Sequence, residues 1–194
     1  SIRSSSLLFL PKLRMYMITY GGREAAMKIG IVGCAGRMGR MLISSVLETA
    51  GVDLIGGIEE PSSEVIGTDL GFLALGRPIG VIVGKDPDSL FDASDAVIDF
   101  TIPSATITHA QLAQETGKIL VVGTTGLGDE HLTALKKAGN NAAVIHAGNM
   151  SLGVNLLVGL VEKVARTLGH HYDIEIIEMH HKRKIDAPSG TALM

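Results

Sequence analysis

The chain has 194 residues, of which 46% are hydrophobic, 19% charged and only 4% aromatic, with 24 glycines and a formal net charge of −3. That apolar fraction suffices to bury a core and excludes disorder and collagen-like repeats, while no run reaches the roughly 18 to 20 apolar residues that span a bilayer. The slight acidity leaves no domain-wide basic field for nucleic acid, so the chain reads as soluble, partnered by neither nucleic acid nor membrane, and Cys34, its only cysteine, excludes an internal disulfide or a cysteine zinc cage and fits a reducing compartment.

Residues 1–26 carry Ser, Arg and one Lys, with Glu24 as their only acid. They read either as a transit-like leader or as sequence upstream of a natural start at Met27, and they are expected to lie outside the fold. From Met27 onward, short β-branched runs at 28–32, 52–58, 96–100, 119–122, 143–145 and 173–179 predict strands. Stretches at 37–49, 104–116, 129–138 and 151–168 have apolar residues at three- and four-residue intervals and predict helices. Strand and helix in alternation imply βαβ units and a mostly parallel sheet covered on both faces. The expected architecture is α/β: a Rossmann-type, doubly wound dinucleotide domain over 27–150, followed by the start of a second α+β substrate domain over 151–194. Ligands of such sheets bind beyond the carboxyl ends of the strands.

The first strand runs into Gly33-Cys34-Ala35-Gly36-Arg37-Met38-Gly39 and then a helix. Glycines serve a tight turn, close approach of backbone to a pyrophosphate, and close packing of helix on strand. The spacing departs from G-x-G-x-x-G, since Ala35 stands at the second glycine's place, and a tight turn without ligand is the alternative. Glu59 follows the second strand, 20 residues beyond Gly39, where an acid can bond the adenosine ribose hydroxyls; a solvated loop carboxylate is the bland reading. Glu60 beside it would oppose a 2′-phosphate unless a cation intervenes, so NADH is expected over NADPH, with Arg37 and Arg40 as cations that could still admit the phosphate.

A second cluster, His180-His181-Lys182-Arg183-Lys184-Ile185-Asp186-Ala187-Pro188-Ser189-Gly190-Thr191, follows the last predicted strand. Histidine exchanges protons near neutral pH and neighbouring cations hold carboxylates. Ser189 is a candidate N-cap with N–H groups free for an anion. Adjacent histidines on a strand point to opposite faces and no third ligand is evident, so no metal site is expected; an exposed basic loop is the remaining alternative. Asn149 and Asn155 read as ligands of backbone or nicotinamide, or as caps. His109, His131 and His146 show no partner pattern, and Met38, Met41 and Met150 read as packing. Cys34 lies near a helix N-terminus, which could lower its pKa, though a small filler is the simpler role.

The glycine loop, Asp99-Phe100-Thr101, Gly123-Thr124-Thr125-Gly126, Gly148-Asn149-Met150-Ser151-Leu152-Gly153-Val154-Asn155 and the segment from Glu178 to Thr191 occur in this order. Together they resemble 4-hydroxy-tetrahydrodipicolinate reductase, also called dihydrodipicolinate reductase, over 27–194. The resemblance implies a cytoplasmic, homotetrameric enzyme of lysine and diaminopimelate biosynthesis that delivers a hydride from NADH or NADPH to a cyclic dicarboxylate. It further implies that Gly33, Cys34, Ala35, Gly36, Arg37 and Met38 bind the pyrophosphate and Glu59 the ribose. Gly123, Thr124, Thr125, Ala147, Gly148, Asn149 and Met150 would line the nicotinamide side. His180 and Lys184 would handle protons, and His181, Gly190 and Thr191 would bind substrate. A non-catalytic NADH-binding fragment and another two-domain, amino-acid-related dehydrogenase are the rival readings. Because the substrate domain has supplied only a strand and the first turn of a helix by Met194, the chain is expected to be a C-terminal truncation of weak or no activity.

Overall fold

A computed structural model describes residues 19–20, 23–24, 26–180, 182 and 187–194. Two short strands, β1 (Thr19–Tyr20) and β2 (Arg23–Glu24), pair antiparallel with each other and not with the main sheet. The main α/β unit then follows in chain order as β3 (Met27–Val32), α1 (Arg37–Glu48), β4 (Val52–Ile58), α2 (Leu70–Ala74), β5 (Val83–Gly84), α3 (Pro87–Ala93), β6 (Ala96–Asp99), α4 (Pro103–Thr116), β7 (Ile119–Val122), α5 (Asp129–Ala138) and β8 (Val144–His146). Helix α6 (Leu152–Leu168) and a single 3₁₀ turn (Gly169–His171) come last.

All neighbours in the six-stranded sheet are parallel, in the order β5-β4-β3-β6-β7-β8. The chain winds outward from β3 to β5, returns to β6 and winds the other way, so the switch point lies between β3 and β6 and opens a crevice at their carboxyl ends. Alternation within β3 divides the core: Ile29 and Ile31 pack with Ile43 and Val46 of α1 and Leu70 of α2, whereas Val32 packs with Phe91 of α3, Ala113 of α4 and Leu135 of α5. Helices therefore cover both faces, as a parallel sheet of β-branched runs requires.

Local chemistry sets the element ends. Pro87 and Pro103 open α3 and α4 at positions where a missing N–H costs nothing. Gly117 ends α4 in the left-handed region at φ 68°. Asp129 and Glu130 at the start of α5 and Lys136 and Lys137 at its end complement the helix dipole.

The segment 173–179, expected to be a strand, has no regular structure. A strand is held by ladder hydrogen bonds to a neighbour, and no sheet among the described residues places one there. Helix α6 forms as the apolar period predicts, capped by the Ser151 hydroxyl, which accepts the Val154 N–H at 3.4 Å, yet it buries none of its residues and leaves Leu152 86% exposed. No described helix is long and apolar enough to cross a membrane.

Candidate functional site

Two adjoining clefts of about 600 Å³ and 710 Å³ lie along the switch point and share Gly36, Phe100 and Thr101. The first is lined by Gly33, Ala35, Glu59, Glu60, Lys85 and His109, among others. Arg37, Met38, Gly123, Thr124, Thr125, Ala147, Gly148, Asn149 and Met150 line the second. Every residue expected at the cofactor, Cys34 excepted, thus faces one lobe or the other.

The glycine loop is built for close approach. Gly33 sits at φ 76°, a conformation that side chains disfavour, and a Cβ on Gly39 would collide with the Gly33 carbonyl. Helix α1 begins at Gly36 with no side-chain cap and no acid in its first turn, which leaves its N–H dipoles available to an anion. Two side chains brace the loop from outside. Glu59 Oε1 accepts the Ala35 N–H at 2.7 Å, and Arg40 Nε donates to the Ala35 carbonyl at 2.8 Å.

These positions correct parts of the sequence reading. Cys34 does not line either cleft; it is wholly buried and packs on Gly57. Burial, reinforced by the charge of Glu59, pushes its thiol up to about 12, opposite to the lowering a helix N-terminus would give. Arg37 lines the second cleft rather than the one that holds Glu59 and Glu60, and Arg40 spends its Nε–H on the Ala35 carbonyl. Among the described residues, the lysine or arginine lining the first cleft is Lys85, just past β5, where the Glu59 N–H donates to the Gly84 carbonyl at 3.1 Å. Met38 and Met150 are exposed cleft walls, and Met41 is exposed too, so none of the three is core packing.

His109 has a partner after all. Its Nδ1 lies 2.9 Å from Asp99 Oδ2, and its ring stacks on Phe91 with centroids 6.2 Å apart. Asp99, fully buried at the end of β6, also accepts the Thr101 N–H at 3.0 Å, the Thr101 hydroxyl at 2.6 Å and the Thr124 hydroxyl at 3.1 Å. Burial alone would raise its pKa, but the His109 bond and charge and the hydroxyls of Thr101 and Thr106 together hold it below the usual carboxylate range. His131 is also engaged, its Nδ1 accepting the Gly128 N–H at 3.0 Å. The asparagines serve as structural clips: Asn149 Oδ1 accepts the Ser151 N–H at 2.8 Å, and Asn155 Nδ2 donates to the Asn149 and Ser151 carbonyls at 2.9 Å each.

The distal motif folds back onto the second cleft. Gly190 packs on the Gly148 backbone so tightly that a Cβ on it would lie 3.1 Å from the Gly148 carbonyl oxygen, and Asn149 Nδ2 donates to the Thr191 hydroxyl at 2.8 Å. Glu178 accepts the Ser189 N–H at 2.9 Å and stands 3.5 Å from His180 Nδ1, tying the imidazole to the turn that carries Gly190. His181 and Lys184 lie outside the described residues. Among the described residues no group of His, Cys, Asp and Glu is placed to hold a metal ion.

Comparison with known proteins gives a consistent picture. Residues 27–150 match the family model described as dihydrodipicolinate reductase, N-terminus, and 153–194 match dihydrodipicolinate reductase, C-terminus. The chain is 48% identical over 168 residues to a 4-hydroxy-tetrahydrodipicolinate reductase of Rhizobium meliloti, with 87% of this chain and 69% of that one covered. It is 51% identical over 166 residues to the protein of the same name from Dinoroseobacter shibae, covering 86% of this chain and 62% of the relative. Among solved structures, a dipicolinate-bound dihydrodipicolinate reductase from Paenisporosarcina sp. TG-14 superposes with a TM-score of 0.64 at 28% identity, over 87% of this chain and 63% of that one.

Proposed function

This chain belongs to the dihydrodipicolinate reductase family, and from that membership we propose that it binds a nicotinamide dinucleotide across the two clefts and reduces 4-hydroxy-tetrahydrodipicolinate, a step toward diaminopimelate and lysine. The observation that carries the reading is the continuity of the clefts: a glycine loop and acid on one lobe, and on the other a Gly148 and Asn149 wall against which Gly190 and Thr191 are packed.

When bound, NADH or NADPH supplies the hydride. The residues do the rest. Backbone N–H groups at Arg37 and Met38, in the uncapped first turn of α1, face the pyrophosphate, and the Glu59 carboxylate accepts from the adenosine ribose hydroxyls. Gly123, Thr124, Thr125, Ala147, Gly148, Asn149 and Met150 enclose the nicotinamide. Gly190, Thr191 and His181 hold a substrate carboxylate. Reduction of a conjugated C=N leaves negative charge, and His180 and Lys184 are the groups that quench it with a proton. Glu59 and Glu60 favour NADH, while Lys85 is the local cation through which NADPH is accepted. The proposal extends to a cytoplasmic site of action and a homotetramer joined through the second domain, as the family resemblance implies.

The test is to saturate the chain with NADH and add 4-hydroxy-tetrahydrodipicolinate. NADH oxidation that His180→Gln slows by on the order of 10²-fold, with NADH binding within about twofold of wild type, is the expected result. Binding without oxidation would favour a non-catalytic NADH-binding fragment, and oxidation with a different substrate only would favour another amino-acid-related dehydrogenase.

A further inference from the structure

Asp99, at the end of β6, ties that strand to the Thr124 turn after β7 and to His109 in the middle of α4. One oxygen, Oδ1, receives the Thr101 N–H and both threonine hydroxyls; the other receives His109 Nδ1. An ionised carboxylate accepts only. Each hydroxyl has a single proton, so both protons must turn inward toward Asp99, and the Thr101 proton goes to the carboxylate at 2.6 Å rather than to the Ile102 carbonyl at 3.5 Å. Thr124 Oγ1 additionally accepts the Thr101 N–H at 3.0 Å. Thr101 is only partly buried and lines both clefts, so what its oxygen offers outward is lone pairs.

We infer that Asp99 is a positioning residue that fixes the hydrogen-bond polarity of the cleft, making the Thr101 hydroxyl an obligate acceptor for an N–H or O–H donor on the nicotinamide half of the dinucleotide. The inference rests on the dinucleotide reading above and adds the polarity of the wall. A donor placed there gains a bond that polarisation by the buried carboxylate strengthens, whereas a carbonyl placed there meets only lone pairs. In the nicotinamide half, the donors are the carboxamide N–H and the ribose hydroxyls, and one change in ligand separates them.

The experiment is calorimetric titration of wild type, Thr101→Val, Thr101→Ser and Asp99→Asn with NADH, with the reduced 3-acetylpyridine analogue, which lacks the amide N–H, and with ADP. Thr101→Val, close in shape, is expected to weaken NADH about five- to tenfold and leave ADP within about twofold, while Thr101→Ser restores NADH binding. If the analogue loses affinity in Thr101→Val as NADH does, the donor is a ribose hydroxyl; if the analogue is unaffected, it is the amide. Asp99→Asn is expected to weaken NADH, and adding Thr101→Val to it is expected to cost little more, because both act on one bond. Should Asp99→Asn not fold, the Thr101 pair still decides. Wild-type NADH affinity in Thr101→Val, or equal weakening of ADP and NADH, would overturn the inference while leaving the dinucleotide site standing. Failure of the wild-type chain to bind NADH at all would remove both.

Discussion

Glu59 accepts the N–H of Ala35 at 2.7 Å, so the acid that follows the second core strand is tied directly to the glycine loop that follows the first. One carboxylate oxygen organises the loop, and on the proposed dinucleotide reading the other would accept from a ribose hydroxyl. Glu59→Ala loses both and is expected to weaken NADH at least tenfold, in the range of charged hydrogen bonds. Glu59→Gln keeps an acceptor for Ala35 and is expected to lose less. Equal losses in the two variants, measured by titration, would mean that the tie to Ala35 contributes nothing.

Two glycines separate fold from cleft. A Cβ on Gly39 meets the Gly33 carbonyl and the Cys34 backbone, atoms that cannot swing aside, whereas a Cβ on Gly123 meets first the ring of Phe100, a side chain that can turn. Gly39→Ala is expected to cost about 2 to 4 kcal/mol of stability, the range of severe core overpacking, visible as a lower urea midpoint. Gly123→Ala should leave the midpoint nearly unchanged and instead weaken NADH, because Phe100 lines both lobes and must be displaced.

On the proposed dinucleotide reading, cofactor choice would turn on Lys85 against Glu59 and Glu60. Lys85→Met is expected to weaken NADPH about tenfold and to leave NADH within about twofold. Glu60→Arg is expected to move the ratio toward NADPH. Parallel changes for both cofactors in Lys85→Met would show that this cation does not reach the 2′ position.

Acid stability follows from Asp99. Its folded-state pKa lies below its unfolded value, so the folded protein binds fewer protons at this site; the stabilisation is fully present above about pH 4, the unfolded value, and is lost as pH falls through the folded pKa. Urea midpoints of wild type and Asp99→Asn should therefore differ at pH 7 and converge below about pH 4. A gap independent of pH would mean that the lowered pKa is not what stabilises.

Most of the sheet and the glycine loop could be read from periodicity, because β3, β4, β6 and β7 are β-branched runs buried on both faces and α1, α4 and α5 carry apolar residues at helical spacing. The region between β4 and β6 could not. α2, β5 and α3 span five, two and seven residues, too short for a period, and are organised instead by Asp69, whose carboxylate accepts the N–H groups of Gly71, Ile79 and Gly80. The loss of Lys85 from the sequence reading follows from the loss of β5. Residues 173–179 failed for the opposite reason: β-branched composition is a local signal, but a strand exists only where a neighbour supplies its ladder. His109 escaped notice because its partner is ten positions back, on a strand end. Acid at the end of one strand and histidine in the helix that follows was the available signal.

The measurement that bears most directly on the account is equilibrium titration of the 194-residue chain with NADH in the absence and presence of ADP. Saturable one-to-one binding that ADP displaces competitively, and that Glu59→Ala weakens at least tenfold, is the predicted result. Absence of saturable binding, or binding that ADP and Glu59→Ala leave untouched, would contradict the assignment of these clefts to a nicotinamide dinucleotide.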